Sequence, residues 1–479
     1  MRNFSISLLL IMALTSAAAP QAGADNAAAN SKMMVERFIN TRSAGSAEDF
    51  AAAAKLVRAR ADEGQPFFRF LLALYSGQDK LCELPDDKRE AYLEQGRPWV
   101  REQAKSGNAL AQYLIALDAL LNREALDEAL DMLERAAEQD QPLAMNTLGM
   151  MYFNGSGVRR DPAKAAGYFR RSAASGDMIA EYNLAGLYHQ GIGVPKDQEM
   201  ALVLYRRAAG QGHSNAMNNL GWVLQHGEHP DPAKALEWYR KSAEAGNRDG
   251  QYNLAYSLMH GIGCARNPAE AAPWLKKSAD QGQLEAQTML GTLYRDGEGV
   301  AKDPAKAFAL FSGAAERGHA GARYQLGQCY EFGTGTATNM VKAIESYRQA
   351  VAAENPDAQH ALGLCHYRGK GVEKDYSKAF ELFRLAAKYN FPPAQDSLGM
   401  LYVRGEGCSR DYAKAAELFT TAWERAHLPD AAYNLAMLHE FGQGVKQSHT
   451  KAVNYCREAA NRGHIAATEW LIANGYTPR

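Results

Sequence analysis

The histidines are the first side chains to consider for chemistry in this 479-residue sequence, which has twelve of them. His226, His229 and Asp231 come closest to a metal-ligand set, because they occur together in the segment HGEHPD. Zinc prefers a tetrahedral set of four ligands, and this short turn supplies only three donors. We therefore predict no metal site and no cofactor.

Most other histidines fit a structural pattern. Four of them come just after the end of a predicted helix, where an imidazole can interact with the last carbonyl groups: His213, His319, His427 and His464. His366 and His439 take a position that other copies of the same pattern fill with tyrosine, so core packing is predicted for both.

The glycine-rich turns are the second candidate for chemistry, since phosphate-binding loops also place glycine before a helix. Gly155 and Gly157 form such a turn, but Asp161 follows at the expected start of a helix and would repel an anion. The sequence contains no P-loop, GxSxG, HExxH or CxxC motif. We therefore predict that the protein is not an enzyme.

These turns recur at a nearly fixed interval of 34 to 37 residues. Their first glycines are Gly155, Gly191, Gly227, Gly261, Gly297, Gly333, Gly369, Gly405 and Gly442. A period in this range is typical of a solenoid, in which each repeat packs on its neighbours.

Each repeat begins with an amphipathic segment that we name helix A. Leu148, Met151 and Tyr152 follow the i, i+3, i+4 spacing of a helix with one apolar face. Gly149 leaves a gap on that face, which predicts the close approach of another helix. The small residue recurs as Ala185, Gly221, Ala255, Gly291, Gly327, Gly363, Gly399 and Ala436.

A second segment, helix B, completes each repeat. Helix A should end at Gly155, because glycine adopts the left-handed conformation common at helix C-termini. Asp161 should cap helix B, and Pro162 suits the first helical position. Helix B should end near Gly176. Each repeat is thus predicted to be a helical hairpin.

The first 24 residues have the features of a secretory signal peptide. Arg2 is followed by an apolar run from Phe4 to Leu14 and by Ala22-Gly23-Ala24, a small-x-small cleavage signal. The apolar run is too short to span a bilayer. We expect cleavage after Ala24 and a location of the mature protein in the periplasm or outside the cell.

The chain can be divided into segments by how closely each follows the repeat pattern. We predict a signal peptide at 1–24, a flexible leader at 25–47, divergent helical repeats at 48–141, nine well-formed repeats at 142–463 and a capping helix at 464–479. Atypical terminal repeats are expected, because one side of each faces water.

Charge excludes one class of partner. Without Arg2 the chain has 52 Lys and Arg against 54 Asp and Glu, a net charge of −2. Nucleic-acid binding needs a clustered basic excess, so we expect no nucleic-acid partner. No later apolar stretch approaches the length of a membrane span, so we expect none.

The pattern LGxxYxxGxGVxxDxxKAxxxYxxAAxxG, almost complete in residues 184–212 and 290–318, resembles the Sel1-like repeat, a relative of the tetratricopeptide repeat. The resemblance implies an all-α fold, a right-handed α/α superhelical solenoid of helix-turn-helix repeats. It also implies a non-enzymatic scaffold or adaptor that binds a partner protein or peptide on a concave surface lined by A helices. Exported bacterial proteins with this repeat resemble factors of the envelope or of host interaction.

Six cysteines leave an alternative function open. In a cysteine-rich branch of the family that this chain resembles, a disulfide joins helices A and B of one repeat, and some members bind or slowly hydrolyse β-lactams. No repeat here contains two cysteines. Cys329 and Cys365 hold the same position in adjacent repeats; packed helices lie about 8–10 Å apart and a disulfide favours Cα atoms about 5.5–6 Å apart, which argues against this pair and leaves the pairing of the six cysteines open. The alternative is a binder or weak hydrolase of cell-wall or β-lactam-like small molecules, and a small-molecule or glycan ligand stays open.

The candidate binding residues lie two places before and two places after the repeated leucine of helix A. In the groove of the related tetratricopeptide repeat, side chains at these positions point to the concave side. They are Tyr182, Trp222, Tyr252, Tyr256, Tyr324, His360, Asp396 and Tyr433. Trp222, Tyr252 and Tyr256 are predicted to form the anchor patch, since Tyr and Trp often anchor interfaces. The alternative is that these rings pack between adjacent A helices.

Overall fold

The computed structural model describes residues 47–76, 82–122 and 125–477, and these residues form 24 α-helices and no strand. The predicted signal peptide and almost all of the predicted leader lie outside the described residues. The prediction of an all-α solenoid of helix-turn-helix repeats is confirmed. None of the described helices is long and apolar enough to cross a membrane.

The helices before the well-formed repeats are α1 (Ala47–Asp62), α2 (Pro66–Tyr75), α3 (Asp86–Lys105), α4 (Ala109–Asn122) and α5 (Leu126–Glu138). The A helices that follow are α6 (Pro142–Asn154), α8 (Met178–Gln190), α10 (Ser214–His226), α12 (Arg248–His260), α14 (Leu284–Asp296), α16 (Ala320–Phe332), α18 (Pro356–Arg368), α20 (Pro392–Arg404), α22 (Pro429–Phe441) and α24 (Ile465–Ala473). The B helices are α7 (Pro162–Ala174), α9 (Gln198–Gly210), α11 (Pro232–Glu244), α13 (Pro268–Asp280), α15 (Pro304–Glu316), α17 (Met340–Ala352), α19 (Tyr376–Lys388), α21 (Tyr412–Ala426) and α23 (His449–Asn461).

The described residues form two compact units, one up to residue 281 and one from residue 282 onward. In the described part of the first unit, helices α1 to α13 pack in chain order, each on its neighbours. Helices α14 to α24 do the same in the second unit. The core of each unit is a row of buried leucine, alanine and aromatic side chains contributed by both helices of every hairpin.

The turn within each hairpin follows the sequence pattern closely. Helix α6 ends at Gly155, whose φ of 76° lies in the left-handed region. The Asp161 carboxylate accepts a hydrogen bond from the Lys164 backbone N–H at 2.9 Å and so caps α7. Gly227 differs, with a φ of −73°, because its loop is two residues shorter than those of the other repeats.

The small residue on helix A makes room for an aromatic ring of helix B. A Cβ atom on Gly149 would stand 2.5 Å from Cε1 of Phe169, far inside van der Waals contact. The same holds for Gly291 and Phe311 at 2.6 Å. The predicted close approach is therefore confirmed, and its partner is the B helix of the same repeat.

Helix α24 differs from the other A helices at this same position. Ile472 stands where they have glycine or alanine, and its side chain is 62% exposed. The preceding Leu471 keeps the buried place of the repeated leucine. A branched side chain at position 472 would collide with the ring of a following B helix, so α24 suits the end of an array.

The role predicted for four histidines is wrong in three of them. His213, His319 and His464 do not bind the last carbonyls of a B helix. Each accepts a hydrogen bond on Nδ1 from the backbone N–H three residues later and so caps the following A helix. His427 is different, since it ends α21 in the left-handed conformation with a φ of 49°.

Two other histidines pack in the core as predicted. His366 and His439 are both buried. The Nδ1 atom of His366 lies 3.3 Å from the Glu373 carbonyl oxygen, and that of His439 lies 3.1 Å from the Lys446 carbonyl oxygen. Each ring thereby ties its A helix to the loop that follows.

Candidate functional site

The A helices of each unit share one surface, which we call the A-helix face and define by the positions two before and two after the repeated leucine. In the described part of the first unit these leucines are Leu148, Leu184, Leu220 and Leu254, all of them buried. The A-helix face therefore lies directly over the core, and rigid helices hold its side chains in place.

Trp222 and Tyr256 are the exposed rings of this face in the first unit. The Trp222 side chain is 43% exposed and that of Tyr256 is 37% exposed. Burying such rings against a partner is the main source of binding energy at protein interfaces. These two exposed rings lie on helices α10 and α12, which follow each other in the array of A helices.

Imidazole and phenol rings support the two exposed side chains. Trp222 stacks on His226 with 4.8 Å between ring centroids and meets His189 of α8 edge-on at 5.4 Å. Tyr256 packs against His260 at 4.3 Å. Burial lowers the pKa of His189, with a smaller contribution from Lys196, which keeps this ring neutral near neutral pH.

Tyr252 and Tyr182 are less exposed than these two rings. Tyr252 is half-buried, with its ring centroid 6.1 Å from that of Tyr256. Tyr182 is also half-buried and stacks on the capping imidazole of His213 at 4.5 Å. Burial raises the pKa of Tyr182. Tyr182 therefore joins α8 to the start of α10, which is the packing role that the sequence left as an alternative.

Polar side chains on this face and directly beside it link successive A helices. Asn253 donates from Nδ2 to Oδ1 of Asn218 at 2.9 Å, and Asn183 donates to Asn146 in the same way. The hydrogen bonds fix the register of neighbouring A helices around Trp222. The face can therefore hold its rings in place without a ligand.

The second unit carries the other four predicted residues. The Tyr324 hydroxyl accepts a hydrogen bond from Gln328 at 2.7 Å, and its ring lies 6.0 Å from Tyr347. Tyr433 stacks on the capping ring of His464 at 4.5 Å. Burial raises the pKa of both Tyr324 and Tyr433. Both are half-buried, so they offer less ring surface than Trp222.

His360 and Asp396 also bridge neighbouring helices. His360 Nε2 lies 3.0 Å from the Ser397 hydroxyl, and Asp396 accepts a hydrogen bond from Asn434 at 3.0 Å. Burial lowers the pKa of His360 to about 4 and raises that of Asp396 to about 6. Both shifts follow from the packing of A helices against each other.

No group of three histidine, cysteine or acidic side chains in the described residues is arranged to hold a metal ion. Cys329 and Cys365 are buried and are not joined to each other. Burial raises the pKa of each thiol to about 11, so neither is a reactive thiolate at neutral pH. The buried cysteines therefore pack as small apolar side chains.

Sequence reasoning missed the histidines that surround the exposed rings. His189, His226 and His260 all lie in the last turn of an A helix. Their spacing was visible in the sequence, because His226 follows Trp222 by four residues and His260 follows Tyr256 by four. Residues four apart share a helix face. Among the described residues, His226 thus serves as a stacking ring and belongs to no metal cluster.

The family model for the Sel1 repeat matches ten segments that together cover more than half of the chain. They are residues 109–141, 142–177, 179–213, 214–247, 248–283, 284–319, 320–355, 356–388, 392–427 and 429–464. The first match falls within the divergent repeats predicted for residues 48–141. No curated protein matches the sequence.

Solved structures show the same repeat. That of c5321, a protective antigen present in uropathogenic Escherichia coli strains displaying an SLR fold, is 29% identical, with a TM-score of 0.67 over 87% of this chain and 89% of that chain. A Sel1 repeat protein from Oxalobacter formigenes is 27% identical over 52% of this chain and 99% of that chain, with a TM-score of 0.43.

Proposed function

The chain belongs to the Sel1 repeat family, and we propose that it is a non-enzymatic scaffold that binds a partner protein or an extended peptide on its A-helix face. Solenoids of this type are typical of protein–protein interaction scaffolds. The observation that carries the proposal is the exposure of Trp222 and Tyr256 on rigid, adjacent helices.

Both rings have apolar area left to bury against a partner. A hydrogen-bonded network holds the surrounding side chains, so a partner orders little of this surface when it binds. Preorganisation of this kind lowers the entropy cost of association. Tyr and Trp that keep such a position in the free protein are the side chains that most often become hot spots.

The proposed location is the periplasm or the outside of the cell. The support for it is the sequence of residues 1–24, with its apolar run and its Ala22-Gly23-Ala24 signal. The partner would then be another protein of the envelope or of the surroundings of the cell.

Site-specific photocross-linking tests the binding face. A photoreactive phenylalanine analogue at Tyr256 should form a cross-link to one partner in native extracts of the producing cells. The same analogue at Val203, which is 46% exposed on B helix α9, is the matched control and should not form it. The same cross-links from both positions, or none from position 256, would count against the proposal.

The alternative function has its own assay. Hydrolysis of the chromogenic β-lactam nitrocefin by the purified mature protein would favour a weak hydrolase. We expect no hydrolysis above the buffer rate, because the buried thiols of Cys329 and Cys365 have raised pKa values and cannot serve as ready nucleophiles.

A further inference from the structure

Three side chains near the ends of the last three helices form a chain of hydrogen bonds. Nδ1 of His449 lies 2.7 Å from Oε2 of Glu440, and Nε2 of the same ring lies 2.9 Å from the Tyr476 hydroxyl. The order is carboxylate, imidazole and hydroxyl, which is the arrangement that activates a nucleophile in acyl-transfer enzymes. None of the three residues belongs to the A-helix face.

The local backbone holds each member in place. Glu440 lies in the last turn of α22, and His449 is the first residue of α23. Gly475 takes the left-handed conformation after α24, with a φ of 77°. The backbone N–H of Tyr476 then donates to the Leu471 carbonyl at 2.9 Å, which is the hydrogen bond of a Schellman motif. This turn brings the phenol back to α23.

His449 departs from the repeat pattern at the first position of helix B. Four B helices begin with proline, which is favoured at this position: Pro162, Pro232, Pro268 and Pro304. The start of α23 does not need an imidazole, because Ser448 already accepts a hydrogen bond from the Lys451 N–H. The His449 side chain is 49% exposed, so a small molecule can reach it from solvent.

The hydrogen bonds assign the tautomer of the ring. A carboxylate can only accept hydrogen bonds, so Nδ1 of His449 carries the proton that points at Glu440. Nε2 keeps its lone pair and accepts the hydrogen bond of the Tyr476 hydroxyl. An imidazole in this state is well suited to take up a proton near neutral pH. The phenol of Tyr476 can therefore lose its proton as its oxygen attacks.

A neighbouring cation supports the same chemistry. The Arg457 guanidinium lies over the Tyr476 ring, 5.8 Å from its centroid. The Nε atom of Arg457 is buried and has no hydrogen-bond partner. A fixed positive charge beside the phenol stabilises negative charge that develops during attack. The titratable groups next to the His449 ring are Glu440 of α22 and Tyr476 beyond α24.

We infer that Tyr476 is a nucleophilic tyrosine that accepts the acyl group of an activated ester. Its oxygen bonds to the carbonyl carbon, the hydroxyl proton moves to Nε2 of His449, and the bond to the leaving oxygen breaks. The imidazolium then returns its proton to the leaving group. His449 is the general base, and Glu440 is a positioning residue. One ester is consumed per chain, so the step modifies the protein and is not turnover.

Two other tyrosines provide a comparison within the chain. The side chains of Tyr256 and Tyr389 are 37% and 48% exposed, whereas Tyr476 is half-buried. The Tyr389 hydroxyl donates to Glu354, and this hydrogen bond raises the pKa of Tyr389. If solvent exposure alone set the rate of acylation, Tyr256 and Tyr389 would react before Tyr476. The order of reaction therefore tests the inference.

The experiment is acetylation of the full mature chain at neutral pH by a limiting amount of p-nitrophenyl acetate. The tryptic peptide of residues 463–479 contains Tyr476 as its only tyrosine and no lysine, so tandem mass spectrometry can locate the acetyl group. A general base contributes about 10²–10⁴-fold in a favourable geometry, so Tyr476 should react about tenfold or more faster than Tyr256 and Tyr389.

Variants separate the general base from a structural hydrogen bond. His449→Gln should slow acetylation of Tyr476 to the rate of Tyr256, and Glu440→Gln should slow it several-fold, because the ring loses the acceptor that orients it. In the parent chain the rate should level off once the imidazole is deprotonated. An unassisted phenol would instead keep gaining rate up to its ordinary pKa of about 10. Tyr476→Phe is the control and should leave the peptide unlabelled.

Three results would overturn the inference. They are acetylation of Tyr476 no faster than that of Tyr256, an unchanged rate in the His449→Gln variant, and a pH profile without a plateau below about pH 10. Hydrogen exchange of residues 463–479 shows whether a variant loosens the end of the chain. If His449→Gln does so, the Glu440→Gln variant and the pH profile of the parent chain decide. None of these results bears on the proposed binding face, which photocross-linking at position 256 tests separately.

Discussion

Replacing Gly291 with valine should destabilise the second unit by overpacking. The Cβ atom alone would stand 2.6 Å from Cε1, 3.0 Å from Cδ1 and 3.1 Å from Cζ of Phe311. Phe311 is fully buried, so its ring cannot turn away into solvent. The two further methyl groups of valine would have to displace helix α15 from α14.

The magnitude follows from two opposing effects. Overpacking of a well-packed core costs about 1–3 kcal/mol. Valine gains at most about 0.5 kcal/mol over glycine in helix propensity. We therefore expect a net loss of about 1.5 kcal/mol in the free energy of unfolding.

Urea denaturation followed by circular dichroism measures this loss as a shift of the unfolding midpoint. Because a repeat array can unfold in segments, hydrogen exchange of α14 and α15 peptides should report the same loss locally. Melting and exchange that match the parent protein would show that the assigned packing of helix A on helix B is wrong.

A second-site change provides the control. The chain itself contains a repeat with Ala255 and Leu275 at the positions of Gly291 and Phe311. The Gly291→Ala, Phe311→Leu double variant copies that natural pair and should be more stable than the sum of the two single changes predicts. Simple additivity of the single effects would indicate that the two side chains do not touch.

Three other outcomes follow from particular side chains. Tyr389→Gln should raise stability by about 1 kcal/mol in urea titrations, because the Gln359 Oε1 atom is buried without a hydrogen-bond partner. In an earlier repeat, Gln281 stands at the position of Tyr389 and donates a hydrogen bond of 2.9 Å to Oε1 of Gln251, thirty residues before it. Burial lowers the pKa of His213 to about 4, so its stabilising contribution is complete above pH 6.5 and is lost as the pH falls towards 4. His213→Asn should flatten the melting temperature across that range. N-terminal sequencing of the exported protein should begin at Asp25, and an intact Met1 would contradict the leader prediction.

The parts of the fold that the sequence predicts are those with local or periodic causes. Gly155 and Asp161 mark a helix end and a helix start, because left-handed backbone and N-terminal capping depend on single residue types. Gly149 predicted close packing, because a gap in an apolar stripe must be filled by a bulky side chain of a neighbouring helix if the core is to stay densely packed. These signals recur in most of the well-formed repeats and reinforce one another.

The roles of the capping histidines could not be read from their position alone. His213 lies between the end of α9 and the start of α10, so both sets of free backbone groups are within its reach. In the structure, the unprotonated Nδ1 atom of His213 accepts a hydrogen bond from the backbone N–H of Ala216. Burial of the ring favours that neutral form.

The candidate binding residues differ in how far they are exposed, and the sequence contains a reason for this difference. Tyr182 precedes His213 by 31 residues, Tyr433 precedes His464 by 31, and both tyrosines stack on those capping rings. The pairs become visible only once the histidine is known to start the next A helix. Trp222 lies on the other side of its leucine, and the next A helix is capped by Asn247, which has no ring for it to stack on.

We propose that Trp222 and Tyr256 serve binding and not folding. The most direct measurement compares partner affinity and melting temperature for Trp222→Ala, Tyr252→Ala and Tyr256→Ala, with the partner captured by photocross-linking at position 256. We predict a loss of about 2 kcal/mol in binding free energy for Trp222 and Tyr256 with unaltered melting curves. Binding that survives all three changes would show that these rings do not anchor the partner, and equal losses of folding stability would assign them to the core.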